Sequence, residues 1–196
     1  MRKFTALIAL FAAIALVGCN KNESTDNKTP AKTSSNNNAA KTAVATIGPS
    51  KAAATQPANK DVTGTVTFTA TKDGVKVVAD LTGLSPGKHG IHIHEKSDLS
   101  DPMLKTAGGH WDPDAAHHHG GPTSETHHAG DMGNITADAD GKAHLEMDIG
   151  GLTIGDGGKH DVVGRSVVVH AKEDDLKSDP AGNSGDRIAA GVIDAK

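Results

Sequence analysis

Apolar and polar residues alternate along three stretches of the chain: Val62, Val66 and Phe68; Val75, Val77, Ala79 and Leu81; and Ala143, Leu145, Met147 and Ile149. A repeat of two puts the apolar members of each run on one face, which is the pattern of a half-buried β-strand. Turn signals separate the runs, at Lys72-Asp73-Gly74 and Asp138-Ala139-Asp140-Gly141, where Asp-Gly and Gly-Lys steps suit hairpins. Two further strands are predicted, at Ser166 to Ala171 and Arg187 to Ile193. No segment carries an apolar stripe of helical period, so the fold class is all-β, a sandwich or barrel. Between Glu95 and Asn134 the strand pattern is missing, and loops of such length usually carry function.

Upstream the pattern stops. Asn20 to Asn59 is rich in Asn, Lys, Ala, Thr and Ser and has no Leu or aromatic residue. Such a composition buries too little apolar surface to offset its ordering entropy, so it reads as a flexible tether. Before it, Arg2 and Lys3 precede an almost wholly apolar stretch from Thr5 to Val17, then Gly18 and Cys19. That is the layout of an export signal, and it is short of the roughly 20 apolar residues that a membrane-spanning helix needs. The run Leu16-Val17-Gly18-Cys19 resembles the bacterial lipobox. The resemblance implies cleavage after residue 18, diacylglycerol on Cys19, and a protein exported and anchored to the membrane through its N-terminal lipid, facing the periplasm. Asn20 after the Cys favours the outer membrane. The expected organisation is a signal peptide over 1–18, a lipidated Cys and tether over 19–59, and a folded domain over 60–196.

Charge and composition narrow the chemistry. The chain carries a net charge of −4 over 196 residues. The 60–196 segment alone has 13 Lys and Arg against 22 Asp and Glu, a net of −9, which excludes nucleic-acid binding through a basic surface. One Cys excludes an internal disulfide and any site built from several thiolates. There are, however, twelve His. In His89-Gly90-Ile91-His92-Ile93-His94 the alternation puts His92 and His94 on one strand face, where two imidazoles can meet one ion. His110, His119, His128 with Asp131, and His170 follow. Imidazole and carboxylate donors without thiolate suit copper(II) and zinc.

Six ordered segments now make a specific pattern: Gly90-Ile91-His92-Ile93-His94-Glu95, Ala107-Gly108-Gly109-His110, His119-Gly120-Gly121-Pro122, His128-Ala129-Gly130-Asp131-Met132-Gly133-Asn134, Val169-His170-Ala171-Lys172-Glu173-Asp174-Asp175-Leu176 and Gly182-Asn183-Ser184-Gly185-Asp186-Arg187-Ile188-Ala189. In this order they resemble the motifs of the copper,zinc superoxide dismutase family, across essentially all of 60–196. The resemblance implies a Greek-key sandwich or barrel of about eight antiparallel strands. It implies one copper and one zinc per subunit, with His92, His94, His110 and His170 on copper. His110, His119, His128 and Asp131 would hold zinc, His110 bridging the two ions. Asp174 matches an aspartate that hydrogen-bonds one ligand of each metal and so fixes ring orientation. Arg187 matches the arginine that holds superoxide, a task suited to its permanently charged planar fork. With His110 and Arg187 in catalytic roles, the implied activity is disproportionation of superoxide to dioxygen and hydrogen peroxide by a redox-cycling copper, protecting the cell envelope. A homodimer and a monomer both fit the resemblance.

Three points stay open at this level. His117, His118 and His119 are adjacent, as are His127 and His128, so His118 competes with His119 as a zinc ligand. The remaining histidines, His89, His117, His127, His144 and His160, read as solvent-facing. The family's disulfide between the metal loop and the strand after the arginine is missing, with Leu99 and Ala190 in the matching positions; the loop is expected either to be packed by apolar contact or to be ordered by metal. A non-catalytic copper- and zinc-binding envelope protein for buffering or delivery is the alternative function. It predicts loss of a copper ligand or of the arginine, and neither has been lost.

Overall fold

The computed structural model describes residues 40–55, 59, 61–115 and 118–196; the export signal, Cys19 and His117 lie outside the described residues. Eight antiparallel strands close into one barrel: β1 (Thr42–Pro49), β2 (Thr63–Ala70), β3 (Gly74–Thr82), β4 (Gly87–His94), β5 (Asp131–Ala137), β6 (Ala143–Gly150), β7 (Ser166–His170) and β8 (Arg187–Ala195). Their order around the barrel is β1-β2-β3-β6-β5-β4-β7-β8, and β8 pairs back to β1. Two 3-10 turns, Ala53–Thr55 and Lys105–Ala107, are the described helical pieces. No helix of the described residues is long and apolar enough to cross a membrane.

The alternation read from the sequence is the inside-outside code of this barrel. Phe68, Val77, Ile91, Ile93, Ile135, Val167, Val169 and Ile193 are all fully buried in a single core. On the outside of β3 and β6, Lys76 pairs with Glu146 and His144 with Asp80, both at the surface. Closure leaves no sheet edge unpaired, which removes the template for edge-to-edge association.

Two boundaries are corrected. The tether reading extended to Asn59, but residues 42–49 form β1, in register with β2 through Ala43↔Phe68 and Ala45↔Val66 and with β8 through Ala45↔Ile193. Ala43, Ala45 and Ile47 are buried. Two alanines opposite Phe68 and Val66 make a small-to-large fit, so the strand belongs to the core without any Leu or aromatic residue of its own. Asp131–Ala137, read as the end of the long loop, is β5 and pairs with β4. The β4–β5 register shifts between Gly90 and His92, a bulge beside the candidate site, where such irregularities re-aim side chains.

Candidate metal centre

β4 and β7 supply the rigid half of the site. They pair as His92↔Val168 and Ile91↔Val169, which sends Ile91, Ile93, Val167 and Val169 into the barrel and turns His92, His94 and His170 toward the loops outside it. The long loop returns to β4 at His110, which bridges to His94, while the Trp111 N–H donates to the Ile93 carbonyl (2.8 Å) and the Gly130 N–H to the Trp111 carbonyl (2.9 Å). Gly130 is needed there, because a Cβ would overlap the Ile93 carbonyl.

His92, His94, His110 and His170 place one ring nitrogen each within 4.8 Å of the others, and all four rings are buried. Each ring also has its second nitrogen tied. His94 Nδ1–H donates to the Gly108 carbonyl (3.0 Å) and His170 Nδ1–H to the Gly185 carbonyl (3.2 Å). His92 Nε2 bonds Asp174 Oδ2 (2.8 Å) and His110 Nδ1 bonds Asp131 Oδ1 (2.7 Å). These bonds select the tautomers. The atoms left over, His92 Nδ1 and the Nε2 atoms of His94, His110 and His170, are buried with no hydrogen-bond partner. Four converging lone pairs without a donor are costly in an apo protein and fit a copper ion that needs nitrogen ligands. Burial holds His92 down to about 4, against the opposing bond to Asp174. Burial likewise keeps His94 and His170 well below the usual imidazole range, with the Arg187 guanidinium adding to the effect.

The second set centres on one carboxylate. The Nδ1 atoms of His110, His119 and His128 lie 2.7, 3.1 and 3.3 Å from Asp131 Oδ1. Asp131 Oδ2 accepts the backbone N–H groups of His128 (2.9 Å) and Gly120 (3.1 Å). Three imidazoles and a carboxylate with no thiolate fit a closed zinc site. His119 is held differently from the first set: burial lowers its basicity, but its bonds to Asp131 and Asp174 prevail and raise it to about 10. Asp131 and Asp174 sit well below the usual carboxylate range; burial opposes this, and their imidazole partners outweigh it.

Asp174 joins the halves, with Oδ2 on His92 and Oδ1 on His119 Nε2, each at 2.8 Å. Its own backbone N–H is held by Asn134 Oδ1 (2.8 Å). Gly182, at φ +61°, lies against this bridge, and a Cβ there would overlap Asp174 Oδ1 and come within 2.7 Å of His119 Nε2. Arg187 opens β8 opposite His170 and donates to the carbonyls of Leu104 and Gly108, both at 2.7 Å. The guanidinium is therefore aimed by the same loop that carries His110.

The structure also separates the adjacent histidines. His119 is buried between Asp131 and Asp174, whereas His118 points out, with 82% of its side chain exposed, and bonds Asp179 Oδ2 (2.7 Å). His144 is exposed and His160 partly so, while His127 is partly buried. His89 is a correction: it is 1% exposed rather than solvent-facing, with Nδ1–H donating to the His170 carbonyl (2.8 Å) and Nε2 3.2 Å from Ser85 Oγ. His89 has the parity of Ile91 and Ile93, so the period of two favoured burial over exposure. Leu99 packs on a small cluster of Leu104, Ala107, Val168 and Ala190, which ties the metal loop to β7 and β8 by apolar contact, one of the two arrangements expected for this loop. The anchoring carbonyls of Gly108 and Gly185, and Asp179, were absent from the sequence reading; backbone acceptors and long-range partners leave no local signal.

A closed antiparallel barrel with two buried donor sets sharing one imidazole defines the class: an all-β protein built around a two-centre histidine and carboxylate site. Residues 62–193 match the family described as copper/zinc superoxide dismutase (SODC). The Cu-Zn superoxide dismutase of Deinococcus radiodurans is 42% identical over 144 residues, covering 68% of this chain and 78% of that protein. The extracellular Cu-Zn superoxide dismutase of Drosophila melanogaster is 44% identical over 149 residues, covering 72% and 80%. Among solved structures, the crystal structure of the clock protein EA4 superposes with a TM-score of 0.67 at 36% identity, covering 80% of this chain and 95% of that one. The chain belongs to the copper/zinc superoxide dismutase family.

Proposed function

We propose that this protein disproportionates superoxide in the cell envelope, two superoxide ions and two protons giving one dioxygen and one hydrogen peroxide. His92, His94, His110 and His170 would hold copper, and His110, His119, His128 and Asp131 would hold zinc. The carrying observation is the set of four buried, unpartnered imidazole nitrogens converging on one point. Bound copper supplies a one-electron acceptor that also serves as a one-electron donor. The chain does the rest. Arg187, fixed through Leu104 and Gly108, binds the anion and orients it. His110 belongs to both sets, and its Nε2 is the atom at which a proton can be held and passed to the reduced product. Asp174 keeps His92 and His119 in one alignment, so the two halves share a single geometry.

Export and lipid attachment at Cys19 complete the proposal. They are supported by the basic, apolar and Cys-terminated order of residues 2–19 and by a relative whose name is extracellular. In this organisation residues 20–41 link the lipid to the barrel, and the envelope is the compartment protected.

The test is to load the purified chain with copper and zinc and follow superoxide consumption. Rapid consumption is expected, falling to the level of metal-free protein in His170→Ala. Arg187→Ala should slow consumption while leaving metal content intact. An inactive, fully metallated parent, or a His170→Ala variant as fast as the parent, would overturn the proposal.

A further inference from the structure

The connection after β1 reaches two elements that hold Arg187. β1 ends at Pro49, paired with Ala189 of β8. The next residue keeps one more bond to that strand: the Ser50 N–H donates to the Ile188 carbonyl (2.8 Å), so the connection starts pinned to the residue after Arg187. Ser50 is 2% exposed, and its Oγ accepts the Ala53 N–H (2.9 Å) while its carbonyl accepts the Ala54 N–H (2.9 Å). A serine hydroxyl that takes up a backbone donor at the start of a turn fixes the turn. Ala53 is packed in the main core, which leaves the turn little freedom to drift.

The same turn holds the metal loop. The Ala52 N–H donates to the Pro102 carbonyl (3.0 Å). Pro102 stands two residues before Leu104, whose N–H donates to the Asp101 carbonyl (2.9 Å) and whose carbonyl accepts from Arg187 Nη1 (2.7 Å). One short turn therefore grips β8 just after the arginine and the loop just before the arginine's acceptor. Ala52, Ala53 and Met103 line a cavity of about 90 Å³ together with Arg187 and Ile188. That space gives the Arg187 side chain room to shift once its acceptor moves, and a binding group has to be held within about 0.5 Å of its working position.

We propose that Ser50 is a positioning residue for Arg187, resting on Arg187 as the group that binds superoxide. Its N–H fixes β8 at Ile188, and its hydroxyl fixes the turn that carries Ala52 to Pro102, so the guanidinium and its Leu104 acceptor are held in one frame. Ser50 touches neither the anion nor the metal ligands' rings, and it acts through the two backbones alone.

The experiment titrates the copper- and zinc-loaded chain with azide, a small anion that coordinates copper(II), and follows the copper absorption. Ser50→Ala should weaken azide binding about fivefold, well under the roughly 100-fold that a 1 Å misplacement can cost, and should raise KM for superoxide by a similar factor while kcat stays within about twofold. Ser50→Thr, which keeps the hydroxyl, should bind azide as the parent does. Ala52→Pro removes the N–H that reaches Pro102 and should reproduce the Ser50→Ala effect. Val75→Ala, a truncation in the core on β3, lowers stability and should leave azide affinity and KM unchanged, which separates positioning from a general loss of stability. In metal-free protein, amide exchange at residues 101–105 should quicken in Ser50→Ala. Azide affinity and KM equal to the parent's in Ser50→Ala, or shifted equally in Val75→Ala, overturn the proposal. Arg187→Ala is measured alongside: if it leaves azide affinity and KM unchanged, the anion-binding reading of Arg187 fails, an outcome distinct from a strong Arg187→Ala effect beside a silent Ser50→Ala.

Discussion

The two halves of the candidate metal centre are built on opposite principles. Three of the four imidazoles of the proposed copper half, His92, His94 and His170, stand on β4 and β7. Each has one nitrogen tied to an acceptor in the frame and the other buried without a partner. That half is shaped by the barrel, and its rings are held neutral by burial, with His92 at about 4. In the proposed zinc half, His119 and His128 sit on the loop and are gathered by one carboxylate at the first residue of β5. Its His119 is raised to about 10, cationic between Asp131 and Asp174. A strand-held set can wait for its ion with lone pairs exposed to one another; a loop-held set needs a charge at its centre to keep its members together.

The comparison breaks most visibly at Asp131. Asp131→Asn keeps the size of the side chain but removes the negative charge that three Nδ1 atoms share. Zinc affinity should fall by more than the roughly 10–100-fold carried by a ligand's hydrogen-bonding partner. The copper half should keep its ion, because His92, His94 and His170 take their orientation from Asp174, Gly108 and Gly185. Chelator competition for each metal in turn measures this, and equal losses of copper and zinc would show that the halves are not separately built.

Acid and alkali should also divide the halves in the metal-free chain. His92 has a folded value below the unfolded one, so its neutral form favours folding, and that stability is lost as pH falls from about 6.5 toward 4. His94 and His170 act in the same direction. His119 has a folded value above the unfolded one, so its contribution is complete below about 6.5 and is lost as pH rises toward 10. Asp131 and Asp174, both lowered, contribute above the ordinary carboxylate value and withdraw that stability at still lower pH. The thermal midpoint of metal-free protein should therefore peak near pH 6.5, by about the position of the unfolded imidazole. Scanning calorimetry in chelator checks it, and His119→Asn should flatten the alkaline arm and weaken the low-pH contribution of Asp131 and Asp174, which lose a shared partner.

How much of this was readable in the chain follows the same division. Strand-held features were legible, because a period of two places His92 and His94 together and Ile91 and Ile93 opposite them. β1 was hidden by its alanines: Ala43 and Ala45 carry little hydrophobic signal, and their burial depends on Phe68 and Val66 about twenty residues away in sequence. His89 shares the parity of the buried Ile91 and Ile93, a signal for burial that the solvent-facing reading passed over. The preference for His119 over His118 rested on the Gly120-Gly121-Pro122 that follows it, and the folded loops add carboxylates no local pattern shows, Asp131 and Asp174 around the buried His119 and Asp179 on the exposed His118. Packing of the loop by Leu99 and Ala190 was one of two expectations, and the partners Leu104, Ala107 and Val168 that complete the cluster come from the fold.

That cluster gives a smaller, sharper probe of the loop. Leu99 is partly buried on Leu104, Ala107, Val168 and Ala190, and the Leu104 carbonyl is one of the two that aim Arg187. Leu99→Ala should cost about 1–2 kcal/mol, less than a fully buried Leu truncation because part of the side chain already faces water. The cost should come with a raised KM for superoxide relative to kcat, as Arg187 loses its fixed aim. Denaturant unfolding and steady-state kinetics measure the two effects. Stability lost without any change in the kinetic parameters would separate the cluster from the arginine.

The smallest expected effect falls on the residue beside the zinc half. His118 is adjacent to His119 and bonded to Asp179, yet both of its partners in that bond are open to solvent, with 82% of the His118 side chain and 52% of the Asp179 side chain exposed. Exposed pairs of this kind contribute between roughly 0 and 1 kcal/mol. The contact that matters to the neighbouring ligand is a different one: Asp179 Oδ1 accepts the backbone N–H of His119 at 2.7 Å, and removing the His118 ring leaves it in place. His118→Ala should accordingly change stability by less than about 0.5 kcal/mol and leave zinc retention against chelator unaltered. His119→Ala, one residue on, should release zinc and leave Asp131 and Asp174 without their shared cation. A His118→Ala variant that loses zinc as readily as His119→Ala would move the ligand by one position, and with it the inference that a carboxylate at the centre, rather than the order of histidines along the loop, selects which rings bind.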